Sequence, residues 1–232
     1  MSTNIQDFSG DIQIRGTTFI KANSNTNNLA IGTDAGLTVQ GQASIAIGNV
    51  AGETAQNNNS IAIGNNAGRS GQAGRAVAVG YTAAQSYQGS LAVAVGDAAG
   101  QISQGSQAVA VGRLAGTTSQ GDGAVAIGHE AGSQGQNSVT IAIGTEAGEV
   151  AQGTRSIALG EHAGQSVQGS YSIAVGPNAG SIGQNNFAIA IGNNAGCRGQ
   201  DGTVAIGGSA GREEQGDSAI AIGANAGSQA QG

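Results

Sequence analysis

Ser44-Ile45-Ala46-Ile47-Gly48 and, sixteen residues on, Ser60-Ile61-Ala62-Ile63-Gly64 are the same segment written twice, and with its variants the pattern occurs thirteen times along the chain. Taking the closing glycine as anchor, the series runs Gly32, Gly48, Gly64, Gly80, Gly96, Gly112, Gly128, Gly144, Gly160, Gly176, Gly192, Gly207 and Gly223. Eleven of the twelve intervals are 16 residues and Gly192 to Gly207 is 15, so a fixed geometry is repeated coil after coil. Before each anchor, branched residues alternate with Ala and with a small residue, the period-two pattern of a strand. β-Branched side chains suit such a pleated surface.

Past the anchor come two variable residues, then Ala in all thirteen coils and Gly in twelve, Ala84 being the exception. Eight residues past the anchor stands Gln without exception: Gln40, Gln56, Gln72, Gln88, Gln104, Gln120, Gln136, Gln152, Gln168, Gln184, Gln200, Gln215 and Gln231. The residue after it is Gly, Asn or Asp in twelve coils, with Ala73 the outlier, which reads as a corner in the left-handed backbone region. The short coil loses its residue between Gln200 and Thr203, where a turn absorbs it.

Two strands and two corners per repeat predict an all-β fold, a parallel β-solenoid (β-roll) of thirteen coils of about 16 residues. At about 4.8 Å per rung the rod is roughly 60 Å long. Stacking sets identical residues over one another, so the glutamines form an amide ladder of the kind that stacked Asn and Gln make.

The alternation leaves two arrangements. With the branched face inside, each rung fills its own core and a monomer is stable. With the small face inside, the coil is thin, and Ile45, Ile47, Ile61, Ile63, Val77, Val79, Val93, Val95, Val109, Val111, Ile141 and Ile143 belong to an outer apolar stripe that must meet copies of itself. The unbroken Ala column favours the second, because a roomy interior does not require Ala in every rung.

Composition narrows the function. The 232 residues include 43 Gly, one Pro and no Trp, too few large side chains for a wide core. A net charge of −6, one lysine and seven scattered arginines speak against nucleic acid. The longest apolar runs are too short for a membrane-spanning helix, and Met1-Ser2-Thr3-Asn4-Ile5 lacks the basic-then-apolar pattern of a secretory signal. His129 and His162 sit in variable corner positions of different coils without metal-ligand spacing, and Cys197 is alone. The acids form no repeated Asp column, and no Gly-Lys-Ser/Thr phosphate loop occurs. No catalytic, cofactor or metal site is expected. Tyr81, Tyr87, Tyr171 and Phe187 are outward corner residues able to contact a receptor.

The Ser-Ile-Ala-Ile-Gly segments resemble the head repeat of YadA-like trimeric autotransporter adhesins over residues 29–232. The resemblance implies a left-handed parallel β-roll in a homotrimer with binding surfaces outside. The family's usual repeat is shorter, and its export signal and C-terminal anchor are not seen; similar arrays in phage and large-DNA-virus fibres need no signal. A structural or adhesive fibre on a virion or cell surface is therefore expected, binding a host receptor. End-to-end stacking into a filament is the alternative, since the array stops mid-coil at Gln231-Gly232. An ice-binding solenoid needs a Thr column that is absent, and a β-helix acyltransferase needs hexapeptide steps. Residues 1–28 fall outside the repeat. Asp11–Gly16 alternates like a short strand that Thr17–Ile20 continues after a turn, Phe8 and Phe19 offer apolar cover, and Asn23–Asn28 reads as a polar loop, together a cap or attachment segment.

Overall fold

The computed structural model describes residues 12–14, 17–23, 27–200, 202–213 and 216–229. It is an all-β parallel solenoid with no helix among these residues. Thirteen short strands, from Asn28–Ile31 to Ile220–Ile222, stack in one parallel sheet and bound twelve turns. Register is identical from rung to rung: Leu29 pairs with Ile45, Ile45 with Ile61, Ile61 with Val77. The opposite face carries the strands that end in Gln, as one sheet of five and one of four. Single bridges, Ile102 to Thr118, Thr118 to Gln134 and Gln134 to Val150, link the two.

At the start of the stack the chain pairs differently. Strand Thr17–Asn23 lies antiparallel against Asn28–Ile31, with Ile20 opposite Ile31 and Ala22 opposite Leu29, and Ile12–Ile14 adds outside it. The first rung's edge is thus hydrogen-bonded rather than bare, the provision an edge strand needs. The polar stretch expected as a loop over Asn23–Asn28 has both its ends in strands; Phe8 lies outside the described residues.

The small face points inward. Ala46, Ala62, Ala78, Ala94, Ala110 and Ala126 are fully buried, as are Ser44, Ser60 and Thr140 one alternation earlier. The hydroxyls in that column donate to corner carbonyls, Thr140 Oγ1 to Asn137 O at 2.9 Å and Ser172 Oγ to Gly169 O at 2.7 Å, so the polar atoms enter the interior satisfied. With only Ala and small hydroxyls on this sheet, the two sheets approach closely. Substituting Ala126→Val puts two methyls where there is no room, and a loss of about 1–3 kcal/mol is expected, read as a shift in the guanidinium midpoint.

Corners are bonded rung to rung as thoroughly as strands. Gly36 N donates to Ala51 O at 2.9 Å and Thr38 N to Glu53 O at 2.8 Å, while Gly48 N reaches back to Ile31 O at 2.8 Å. Among the described residues such main-chain bonds recur from rung to rung through corners and strands alike, as burial of so much main chain demands.

The left-handed corner predicted just after Gln is not there. In the coil anchored at Gly64, positive φ falls at Gly64 (131°), Asn66 (56°), Gly68 (51°), Gly71 (71°) and Arg75 (61°), and the same offsets recur in the other coils. Glycine after Gln serves close approach instead: a Cβ on Gly105 would stand 2.6 Å from the Asp122 nitrogen of the next rung. At the anchor both reasons combine, since Gly32 has φ +123° and its Cβ would meet Gly48 O at 2.6 Å.

Ala84 occupies a position that is glycine in the other coils, at φ +45° and fully buried. An L-residue there costs about 1–2 kcal/mol, part of which its buried methyl returns. Ala84→Gly should therefore stabilise the array by about 1 kcal/mol, measurable as a higher midpoint in the same titration.

Candidate interaction faces

The glutamine column lies inside the solenoid, not at its surface. Gln56, Gln72, Gln88, Gln120, Gln136, Gln152, Gln168 and Gln184 are the largest fully buried side chains. Each uses one amide hydrogen to cross the core to the facing strand of its own coil: Gln72 Nε2 donates to Ile61 O and Gln120 Nε2 to Val109 O, both at 2.8 Å. The other hydrogen goes to the Oε1 of the next glutamine, from Gln56 to Gln72 at 3.2 Å and so on in one direction to Gln184. Gln40, half-buried, bonds Leu29 O and Ser44 O instead, so Gln56 Oε1 heads the series without a donor. Gln200 is placed by its strand, opposite Gln184, and Gln215 lies outside the described residues. Gly52, at φ +53°, leaves the space for this, since a Cβ there would come 2.7 Å from Gln56 Oε1.

The branched face points out. Ile45, Ile47, Ile61, Ile63, Val77, Val79, Val93, Val109, Val111 and Ile143 are half-buried, covered above and below by their own column and open on the flank. Val95, Ile127, Ile141 and Leu159 are exposed. Two columns over thirteen rungs make a strip about 60 Å by 10 Å, at the upper end of the apolar patches that monomers expose.

Two corners gather other side chains. At the position eleven past the anchor, Tyr171 and Phe187 stack with centroids 5.4 Å apart and planes 9° from parallel, and the Arg155 guanidinium lies 5.6 Å from the Tyr171 centroid. Tyr81 is exposed at a corner, whereas Tyr87, expected at a corner, is exposed within strand Ser86–Gln88 of the sheet that carries the glutamines. Just past the anchor, stacking brings together His129, Glu130 and Glu146, whose donor atoms lie within 4.8 Å of one another. Sequence reasoning missed this group because metal-ligand spacings are sought within one helix or strand. In a solenoid the relevant neighbours are 16 and 17 residues apart.

Against known families, two overlapping windows, residues 103–131 and 119–147, match the model of the YadA head domain repeat. The coils within these windows are similar to the YadA head domain repeat. The windows span consecutive anchors, and the Ala, Gly and Gln columns that define them run through the remaining rungs of the array. No curated protein and no solved structure matches the chain.

Proposed function

We propose that this chain forms a homotrimeric, non-catalytic fibre segment, a rigid head or shaft on a virion or cell surface. The branched columns, Ile45 to Ile143 among them, lie at the shared axis and the corners face a host receptor. The observation that carries this reading is the outward stripe of Ile, Val and Leu, continuous over the stack while the interior is filled by Ala and Gln. Each branched side chain withdrawn from water contributes about 1.5–3 kcal/mol when burial is complete, and here about half of that remains to be gained. A closed cyclic assembly buries the stripe on every copy.

The reading includes a left-handed coil, as the resemblance implies, and an inner glutamine ladder that fixes rung spacing. Residues 1–28 serve as cap or attachment segment, supported by the antiparallel pairing of Thr17–Asn23 on the first rung. Light scattering on a sizing column tests the assembly: the mass of three chains is expected, one chain would sink the proposal, and much larger rods would favour end-to-end filaments.

A further inference from the structure

We propose that the corner formed by His129, Glu130 and Glu146 binds a divalent transition-metal ion of the zinc class. The main chain fixes the stacking at this corner: Glu130 N donates to Arg113 O at 3.0 Å, Glu146 N to His129 O at 2.8 Å, and His162 N to Thr145 O at 2.9 Å. Glu130, Glu146 and His162 thus stand over one another in consecutive rungs, with His129 beside Glu130. The donor atoms of the first three already lie within 4.8 Å of one another. Bonds of about 2.0–2.2 Å to a tetrahedral ion require ligand atoms roughly 3.5 Å apart. The side chains must close by about 1 Å, and exposures of 38% for His129, 28% for Glu130 and 27% for Glu146 leave them free to do so.

A second observation points the same way. His162 Nδ1 is shut off from solvent and has no hydrogen-bond partner, although Glu146 Oε2 is 3.0 Å away. The ring nitrogen and the carboxylate are close but misaligned for a hydrogen bond. Charge agrees: Glu130 has the Arg113 guanidinium 3.7 Å away, while Glu146 and Glu161 stand beside His162 and Glu149 beside the neutral Gln165 amide. Gln165 Nε2 donates to both Glu146 Oε2 (2.7 Å) and Glu149 Oε2 (3.0 Å), orienting two carboxylates with a neutral amide. A cavity of about 350 Å³ lined by Thr117, Glu130, Ser133 and Glu149 adjoins the cluster and leaves room for water ligands. Mixed imidazole and carboxylate donors select zinc over calcium or magnesium, which take oxygen.

Arg113 is the competitor. Its Nη2 touches His129 Nε2 and stands 3.7 Å from Glu130 Oε1, but the side chain is 56% exposed and can swing away. Metal binding displaces it, so removing it should tighten binding. The test is calorimetric titration of the chelator-treated full chain with zinc chloride. A single zinc per chain is expected, weakened at least about tenfold in His129→Ala and in Glu146→Gln, and tightened or unchanged in Arg113→Ala. Glu53→Gln, in a distant Arg69 pair, should change nothing. Far-UV circular dichroism checks that the variants keep the fold. No zinc uptake, uptake indifferent to both His129 and Glu146, or calcium bound as tightly as zinc would each overturn the proposal.

Discussion

Replacing Gln120 by leucine is expected to destabilise the solenoid by about 3–6 kcal/mol, although leucine is the more apolar residue and the site is fully buried. The reason is the number of partners stranded at once. Gln104 Nε2 loses its acceptor, Gln136 Oε1 its donor, and Val109 O the amide that crosses the core. Each buried polar group left unmatched costs about 1–3 kcal/mol, and no water can reach so thin an interior without parting the sheets. At the head of the series the penalty is smaller: Gln56 Oε1 accepts no bond to begin with, so Gln56→Leu strands only Ile45 O and Gln72 Oε1. Guanidinium midpoints for the two variants, measured at one protein concentration, should rank Gln120→Leu well below Gln56→Leu. Equal or negligible shifts would mean the amides are not what holds the rungs.

The second large effect concerns assembly. Val111 pairs with Val95 and Ile127 in the middle of the outward stripe. If three stripes share an axis, Val111→Asp brings three carboxylates together in an apolar seam, at a cost of several kcal/mol for each charge removed from water without a partner. The mass by light scattering should fall from three chains to one. The interior is untouched, because it belongs to Ala110 and the glutamines, so the β-sheet dichroism should persist. Tyr87→Asp, at an exposed residue of the opposite sheet, is the control and should leave the mass unchanged. A Val111→Asp variant that keeps the wild-type mass would remove the stripe from the interface and shift attention to the corners.

Much of this architecture could be read from the chain, because a repeat converts three-dimensional stacking into arithmetic. Strand positions, parallel order and the place of the missing residue between Gln200 and Thr203 follow from column spacing; the structure pairs Gln184 with Gln200 but Ile189 with Val204. Which face turns inward did not follow from alternation, which is symmetric, and only the narrowness that Ala imposes decides it. The left-handed positions were misread for a physical reason. Five such residues per coil are too many to be reserved for Gly and Asn, and Val39, Tyr87 and Tyr171 adopt them because rung-to-rung bonding holds the backbone there. The Gly after Gln reflects crowding by the next rung, which composition cannot tell from a demand for positive φ. The glutamine column was visible, yet its second bond, to a carbonyl eleven residues earlier, depends on the distance between sheets. The His129 corner was hidden because its partners are close only across the stack.

One feature of the register reaches beyond this molecule's energetics. Since every residue meets its counterpart one repeat later, Val93 to Val109 as Val77 to Val93, one coil is a chemical substitute for the next. Excising residues 81–96 would join Gly80 to Asp97, give each strand the same kind of neighbour as before, and shorten the rod by one step of about 4.8 Å. Copy number is then a ruler. Unequal exchange between gene segments that encode equivalent coils can lengthen or shorten the solenoid in whole steps, so its length can be adjusted by counting repeats without redesigning any of them.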